Sequence, residues 1–301
     1  MKRLLLAIVG PTAVGKTEIA LQLGQALDGE IVSADSRQIY REMDIATAKP
    51  SPAERERVPH HLIDIVNPDE SFTLAEYQER AYAAIDEILA RGKQPLLVGG
   101  TGLYVRAVIE GLNIPRVPPN PERRRALEQI PTPELYARLQ QLDPAIAVTI
   151  LPNNVRRIIR ALEVIDATGE LMSTLQTRHP PPYPIVQIGL TMPRDLLYAR
   201  VDTRIDRMIE QGVVDEVRRL VARGYAFTLP SMTGLGYREI GQYLRGEIPL
   251  EEAVRLLKSN TRKFIRHQAN WFRPTDSRIH WFDLSAQGDA AIQEFVTRIM
   301  E

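Results

Sequence analysis

Along its N-terminal part the chain alternates short apolar runs with helical periodicity. Leu4 to Val9 is uninterrupted apolar sequence and predicts a strand covered on both faces. In Lys16 to Leu27, Ile19, Leu23 and Leu27 recur at helical spacing and predict an amphipathic helix. A second short strand is predicted from Glu30 to Ala34, ending at Asp35-Ser36-Arg37-Gln38. Thr73-Leu74-Ala75-Glu76 has the form of a capping box and opens a helix that runs to about Ala90. Arg91-Gly92-Lys93 stops it, and Gln94 to Val98 predicts another buried strand before Gly99-Gly100-Thr101-Gly102. Strands alternating with helices predict an α/β fold, a parallel sheet with helices on both faces.

The texture then changes. Ile114 to Pro121 is proline-dense and cannot join a sheet interior. Residues 121–170 have a helical pattern, and Arg178 to Pro184 forms a second proline-rich connector before a strand-like run, Ile185 to Leu190. The economical division is a core of 1–118 and 185–301, with a helical C-terminal part, and a helical insertion of 119–184. From 195 to 300 the pattern is mainly helical.

Composition adds exclusions. The 301 residues are 44% apolar and 25% charged, and there is no Cys, which removes disulfides, cysteine zinc sites and a thiol nucleophile. The apolar run after Met1-Lys2-Arg3 leads straight into a glycine motif and reads as a strand rather than a leader. No stretch is long and apolar enough to span a bilayer, so a cytoplasmic protein with no membrane partner is expected, as a monomer. The formal net charge of zero hides local basic segments: Leu151 to Arg160 holds Arg156, Arg157 and Arg160 and no acid. Arg255, Lys258, Arg262, Arg266 and Arg273 recur at helical steps, either as a solvated basic face or as a stripe that tracks phosphates.

The strongest chemical signal is Gly10-Pro11-Thr12-Ala13-Val14-Gly15-Lys16-Thr17, a P-loop pattern with a strand before it and a helix after it. Its glycines let backbone N–H groups turn toward phosphate oxygens, the helix N-terminus adds partial positive charge and Lys16 a full one. The Thr17 hydroxyl is placed to hold Mg²⁺, the expected cofactor. A kinase or ATPase also needs an acid at the end of another buried strand, yet the strand at 94–98 ends in Val-Gly-Gly-Thr, and the nearest candidate elsewhere is Asp35, after the second strand. Asp35 and Thr101 each follow a predicted parallel strand, which brings both to the sheet edge beside the P-loop. There the carboxylate could take a proton from a nucleophile and the hydroxyl could donate to a leaving group, or both could be turn or cap residues.

Taken together these residues resemble the tRNA dimethylallyltransferases (tRNA isopentenyltransferases), in their short bacterial form. The resemblance is carried by the P-loop, Ser33 to Tyr40, Thr47-Ala48-Lys49-Pro50, Pro59 to Asp64, Val98 to Tyr104, Arg157 to Val164 and Arg262-x-Phe-x-Arg266-x-Gln268-x-x-Trp271-Phe272. It implies a P-loop NTPase-like core and transfer of a dimethylallyl group from dimethylallyl diphosphate to N6 of adenosine 37 in tRNA. By carry-over, Gly10 and Thr12 to Thr17 bind the diphosphate, Asp35 is the general base and Thr101 contacts the bridging oxygen. Lys16 and, on a looser match, Arg204 add cations. Asp35, Ser36, Arg37, Gln38, Thr101, Arg124, Arg156, Arg157, Arg160, Gly236, Tyr237 and Arg238 are the positions implied to touch tRNA, with the insertion as the clamp for the anticodon arm. One departure is Ala46, where the family usually has glycine. Trp271-Phe272 is either a base-stacking pair or core, and His60-His61, with no third ligand nearby, reads as structural or substrate-edge. The competing readings are a P-loop kinase of a small metabolite, a prenyltransferase of free AMP, and a non-catalytic tRNA-binding protein.

Overall fold

A computed structural model of the chain describes residues 4–301. They divide into two compact units, one of 4–109 with 182–301 and one of 110–181.

In the first unit six strands, β1 (Leu5–Val9), β2 (Gly29–Ser33), β3 (His60–His61), β4 (Gln94–Gly99), β5 (Ile185–Thr191) and β6 (Ile279–Asp283), form one sheet in the order β3-β2-β4-β1-β5-β6. Every pairing is parallel. All five residues of β1 are buried, and its alternation divides them between two cores. Leu6 and Ile8 pack with Ile19 and Leu21 of the Lys16–Ala26 helix and with Val201 and Ile205 of the Arg194–Glu210 helix. Leu5, Ala7 and Val9 pack with Tyr77, Ile85 and Ile88 of the Leu74–Ala90 helix and with Val105 and Val108 of the Gly102–Ile109 helix. Each fully buried aliphatic side chain contributes about 1.5–3 kcal/mol, so the two cores hold the sheet edge rigid. The capping box forms as read: Thr73 Oγ1 accepts from the Glu76 amide at 3.2 Å and Glu76 returns to the Thr73 amide at 2.7 Å.

Two strands depart from the sequence reading. The C-terminal part is not wholly helical, because Ile279–Asp283 joins β5 as the edge strand β6. Five residues with one exposed position carry little periodic signal, and the pairing that makes them a strand is non-local. His60–His61 pairs with β2 over two residues only.

In the second unit the Pro121–Glu128, Thr132–Leu142 and Val155–Thr168 helices pack around Leu127, Leu135, Leu139, Ile158 and Leu162. Its two chain ends pair, Asn113 N–H to Thr177 O at 2.9 Å and His179 N–H to Gly111 O at 2.7 Å. The proline connector is therefore part of this unit: Arg160 donates to the Pro115 and Val117 carbonyls at 3.4 and 3.1 Å. The division falls at 109/110 and 181/182, where the pattern of prolines had suggested 118/119 and 184/185.

Candidate active site

Three turns at the carboxyl edge of adjacent strands build the site. β2, β4 and β1 lie side by side, with Ser33 opposite Val98 and Val9 opposite Gly99. The turns after them carry Asp35, Thr101 and the P-loop respectively, at the edge where ligands collect in such sheets.

The P-loop curls because Ala13 and Gly15 adopt positive φ, 64° and 119°. Glycine meets this without strain at 15, whereas Ala13 holds a left-handed conformation that costs about 1–3 kcal/mol, a cost usually retained at ligand-binding turns. Lys16 folds back over the loop, its ammonium donating to the Gly10 and Pro11 carbonyls at 3.0 and 2.7 Å. Burial pushes that ammonium down to about 8, Asp35 opposing the shift and Arg204 adding to it. Burial also lowers Arg204, again against Asp35, and Arg204 donates to the Thr12 hydroxyl at 3.3 Å. The looser carry-over of Arg204 thus lands a cation on the loop. The Thr12 amide, in contrast, is engaged by Gln268 Oε1 at 2.9 Å, so the amides of 13–17 form the rest of the nest. Thr17 is exposed in the first turn of its helix.

The Asp35 turn and the Thr101 turn are tied to each other. Ala34 N–H donates to Val98 O at 2.7 Å and Thr101 N–H to Ala34 O at 3.2 Å. The Thr101 Oγ1 accepts from the Ser36 amide at 3.1 Å, and Asp35 Oδ1 accepts from the Arg37 amide at 2.8 Å. Each residue is therefore also the turn or cap residue that the bland reading expects. Both nevertheless line one cavity of about 1250 Å³ together with Thr12, Lys16, Thr17 and Arg204. Gln38 is locked between Ser33 Oγ at 3.2 Å and the Ala48 carbonyl at 3.3 Å, and Arg37 donates to the Pro230 carbonyl at 2.8 Å.

The opposite wall holds Gly236, Tyr237 and Arg238. Tyr237 is 1% exposed and its hydroxyl donates to buried Glu216 at 2.7 Å, so it shapes the wall instead of presenting a free hydroxyl. Glu216 also accepts from the amides of Asp44 and Ile45 at 3.0 and 2.7 Å. Arg238 and Asn260 both donate to buried Glu239 Oε1, at 2.5 and 2.9 Å. Ala46 has no positive φ, so its methyl group is carried without backbone strain where the family usually has glycine. Glu216 and Glu239 escape the sequence reading as framework residues, and Gln268 enters it only within a motif; the signal they share is a polar side chain on the inward face of a helix.

Several basic positions read differently in three dimensions. The stripe on the Leu250–Gln268 helix is ion-paired: Arg255 to Glu252 and Lys258 to Asp206, both at 2.6 Å, and Arg262 to Asp202. Arg266 donates to the Tyr198 hydroxyl at 3.2 Å, and Arg273 lies beyond the helix end. The stripe is largely a seam with the Arg194–Glu210 helix. In the 110–181 unit Arg124 and Arg160 converge on Glu163, at 2.8 and 2.7 Å, which lies just past the acid-free segment. Burial works to raise the Glu163 carboxyl, but Arg124, the Asn120 amide and Arg160 overcome it and hold it at about 2. Arg156 and Arg157 stand exposed in the first turn of the same helix. Phe272 is core, 5% exposed, while Trp271 is 41% exposed and lines the cavity with the Arg106 guanidinium 5.7 Å from its ring. His61 pairs with Glu30 at 2.7 Å and His60 with the Val58 carbonyl at 2.7 Å, both structural. Among the described residues no group of three or more His, Asp or Glu side chains is placed to hold a metal.

The comparisons agree with this geometry. The model of the family described as IPP transferase matches residues 38–275. The tRNA dimethylallyltransferase of Roseiflexus castenholzii is 59% identical over 273 residues, covering 89% of this chain and 89% of that protein. That of Dehalococcoides mccartyi is 46% identical over 98% of this chain and 92% of that protein. Among solved structures, the tRNA isopentenylpyrophosphate transferase of Bacillus halodurans is 44% identical with a TM-score of 0.74, covering 99% of this chain and 96% of that one. A eukaryotic dimethylallyltransferase solved acting on tRNA is 25% identical with a TM-score of 0.85, covering 99% of this chain and 80% of that one. With a family match spanning most of its length and relatives this similar, the chain belongs to the IPP transferase family.

Proposed function

We propose that the chain transfers a dimethylallyl group from dimethylallyl diphosphate to N6 of adenosine 37 in tRNA, releasing diphosphate. The observation that carries this reading is one cavity in which a phosphate loop, whose immediate neighbour strand β4 ends without an acid, faces the Asp35 carboxylate after β2 and the Thr101 hydroxyl after β4. The N6 nitrogen attacks C1 of the allyl group, the C1–O bond breaks with its electron pair passing to the diphosphate, and the N6 proton passes to Asp35. General-base catalysis of this kind contributes roughly 10²- to 10⁴-fold. Thr101 would turn its hydroxyl proton, which now points to Ser36 Oγ at 3.4 Å, to the bridging oxygen, while its acceptor side keeps the Ser36 amide. Lys16 and Arg204 stay in place as negative charge develops on the leaving group.

Magnesium fits the donor set: the exposed Thr17 hydroxyl is a hard oxygen ligand at the loop, and the diphosphate and water would supply the remaining oxygens. When bound, the ion neutralises diphosphate charge. Adenosine 37 must leave its stack to reach the cavity, as bases do in enzymes that act on them. Exposed Arg156 and Arg157 supply phosphate contacts that free AMP would not need.

Incubation with dimethylallyl diphosphate, Mg²⁺ and unmodified tRNA, followed by nucleoside analysis, tests the reading. N6-dimethylallyladenosine at position 37 is the expected product. Consumption of ATP in its place would establish a kinase, and product on AMP alone would shift the acceptor.

A further inference from the structure

We infer that Gln268 is a positioning residue that joins the diphosphate loop to the Thr101 turn and so sets the Thr101 hydroxyl against the leaving group. This rests on the transfer reaction proposed above. Gln268 is the last residue of the Leu250–Gln268 helix and is 4% exposed. Its Oε1 accepts from the Thr12 amide at 2.9 Å and its Nε2 donates to the Gly100 carbonyl at 3.0 Å. One amide group therefore bridges the turns after β1 and β4, and its orientation is dictated, because a flipped amide would face donor with donor and acceptor with acceptor. A Cβ at Gly100 would stand 2.4 Å from Nε2 and 3.5 Å from Lys16 Nζ, so the glycine is the gap through which the bridge reaches the backbone. Thr101 follows at the next position.

Burying an amide costs about 1–3 kcal/mol unless it is bonded, and an apolar side chain would fill this site without that cost. Here both bonds go to backbone atoms of the two turns that carry the proposed diphosphate and bridging-oxygen contacts. Engaging the Thr12 amide also withdraws one donor from the anion nest and directs the diphosphate to the amides of 13–17 and to Lys16. Positional errors of an ångström at reacting atoms cost on the order of 10²-fold, so a tether of this kind acts on rate more than on binding.

The test is a double-mutant cycle of Gln268→Met and Thr101→Val, read by single-turnover transfer at saturating substrates, pyrophosphate calorimetry and thermal melts. Gln268→Met is expected to slow transfer about 10- to 100-fold while changing pyrophosphate affinity less than about 3-fold. In the Thr101→Val background the same change should slow transfer by no more than about 3-fold, because the group it positions is gone. Gln268→Leu, which removes both bonds without adding charge and with a side chain of similar size, should give the same kinetic signature. Equal losses in both backgrounds, a loss of pyrophosphate affinity alone, or unfolding of both Gln268 variants would overturn the inference. If the unaltered enzyme transfers nothing to tRNA, the proposed function falls; if it transfers and the cycle is additive, only the role of Gln268 falls.

Discussion

Lys16 should make the proposed diphosphate site sensitive to pH in a predictable direction. In the free protein burial brings its ammonium down to about 8, with Arg204 adding and Asp35 resisting. A bound diphosphate places negative charge on that ammonium and returns its pKa at least to the ordinary lysine value of about 10.4. Below pH 7 the amine is charged with or without ligand, and affinity is flat. As pH rises through 8 the free amine loses its proton and the attraction must be regained by proton uptake, so affinity falls. With those two values the linkage relation gives a dissociation constant roughly 30-fold higher at pH 9.5 than at pH 7. It also gives uptake of about 0.9 proton on binding at pH 9.

Calorimetry with dimethylallyl diphosphate at constant ionic strength measures both quantities, the uptake from the dependence of heat on buffer ionisation enthalpy. The ligand's own last ionisation, near 6 as in other phosphate esters, lies below the range and does not imitate the effect. Lys16→Arg keeps its charge throughout and should bind with no pH dependence between 7 and 9.5. An equal affinity of the unaltered protein at both ends of that range, with no proton uptake, would refute the placement of Lys16 on the diphosphate.

Other outcomes follow from the contacts. Asp35→Asn should lower single-turnover transfer about 10²- to 10⁴-fold and leave tRNA affinity within about 3-fold; unchanged transfer would remove Asp35 as base. Arg156→Ala and Arg157→Ala should each weaken tRNA binding and reduce the slope of log affinity against log salt by about one, whereas Arg255→Ala and Lys258→Ala should change affinity less than about 2-fold, as filter binding across a salt series will show. Glu163→Gln leaves Arg124 and Arg160 without their anion and should raise hydrogen exchange throughout 110–181, by an amount on the order of 3 kcal/mol. Because the Glu163 carboxyl is held at about 2, below its ordinary value, its contribution is present above about pH 4.5 and is lost as pH falls toward 2. Glu216→Ala leaves the Asp44 and Ile45 amides and the Tyr237 hydroxyl without their acceptor, and should lower stability by about 3–5 kcal/mol in denaturant titration; a loss under 1 kcal/mol would deny Glu216 its role in holding the wall.

What was legible in the sequence is what is local. The Leu5–Val9 strand, the P-loop and the Lys16–Ala26 helix are consecutive, and each announces itself by period or by glycine spacing. Asp35 and Thr101 were placed correctly beside the loop because a parallel sheet brings the ends of its strands to one edge, whatever their distance along the chain. The partners of charged residues were not legible. Helical spacing aligned Arg255, Lys258 and Arg262, but their acids belong mainly to another helix, at Asp202 and Asp206, and only packing reveals that. Arg160 looked free because Glu163 stands one turn on, and Arg124 reaches the same carboxylate from a different helix. β6 and the bridging role of Gln268 were not legible for the same reason, since one becomes a strand only through β5 and the other becomes a tether only through Thr12 and Gly100.

The missing second acid takes on meaning once the charges of the cavity are followed through the reaction. Lys16 and Arg204 are both lowered by burial, and Asp35 is the carboxylate that offsets the effect on each. Before transfer, that carboxylate shares the two cations with the diphosphate. In the proposed transfer the N6 proton neutralises Asp35 as the breaking C1–O bond places a new negative charge on the diphosphate beside the same cations. One negative charge has in effect moved from Asp35 to the leaving group while Lys16 and Arg204 have not moved at all, which is the preorganised arrangement that stabilises developing charge without reorganisation. A further fixed carboxylate at the loop would keep the cations engaged and weaken that response at the moment it is needed. In the proposed reaction the lack of an acid after β4 thus has a use: a loop that had to deliver a phosphoryl group would need that acid, and a loop that has to receive charge would work better without it.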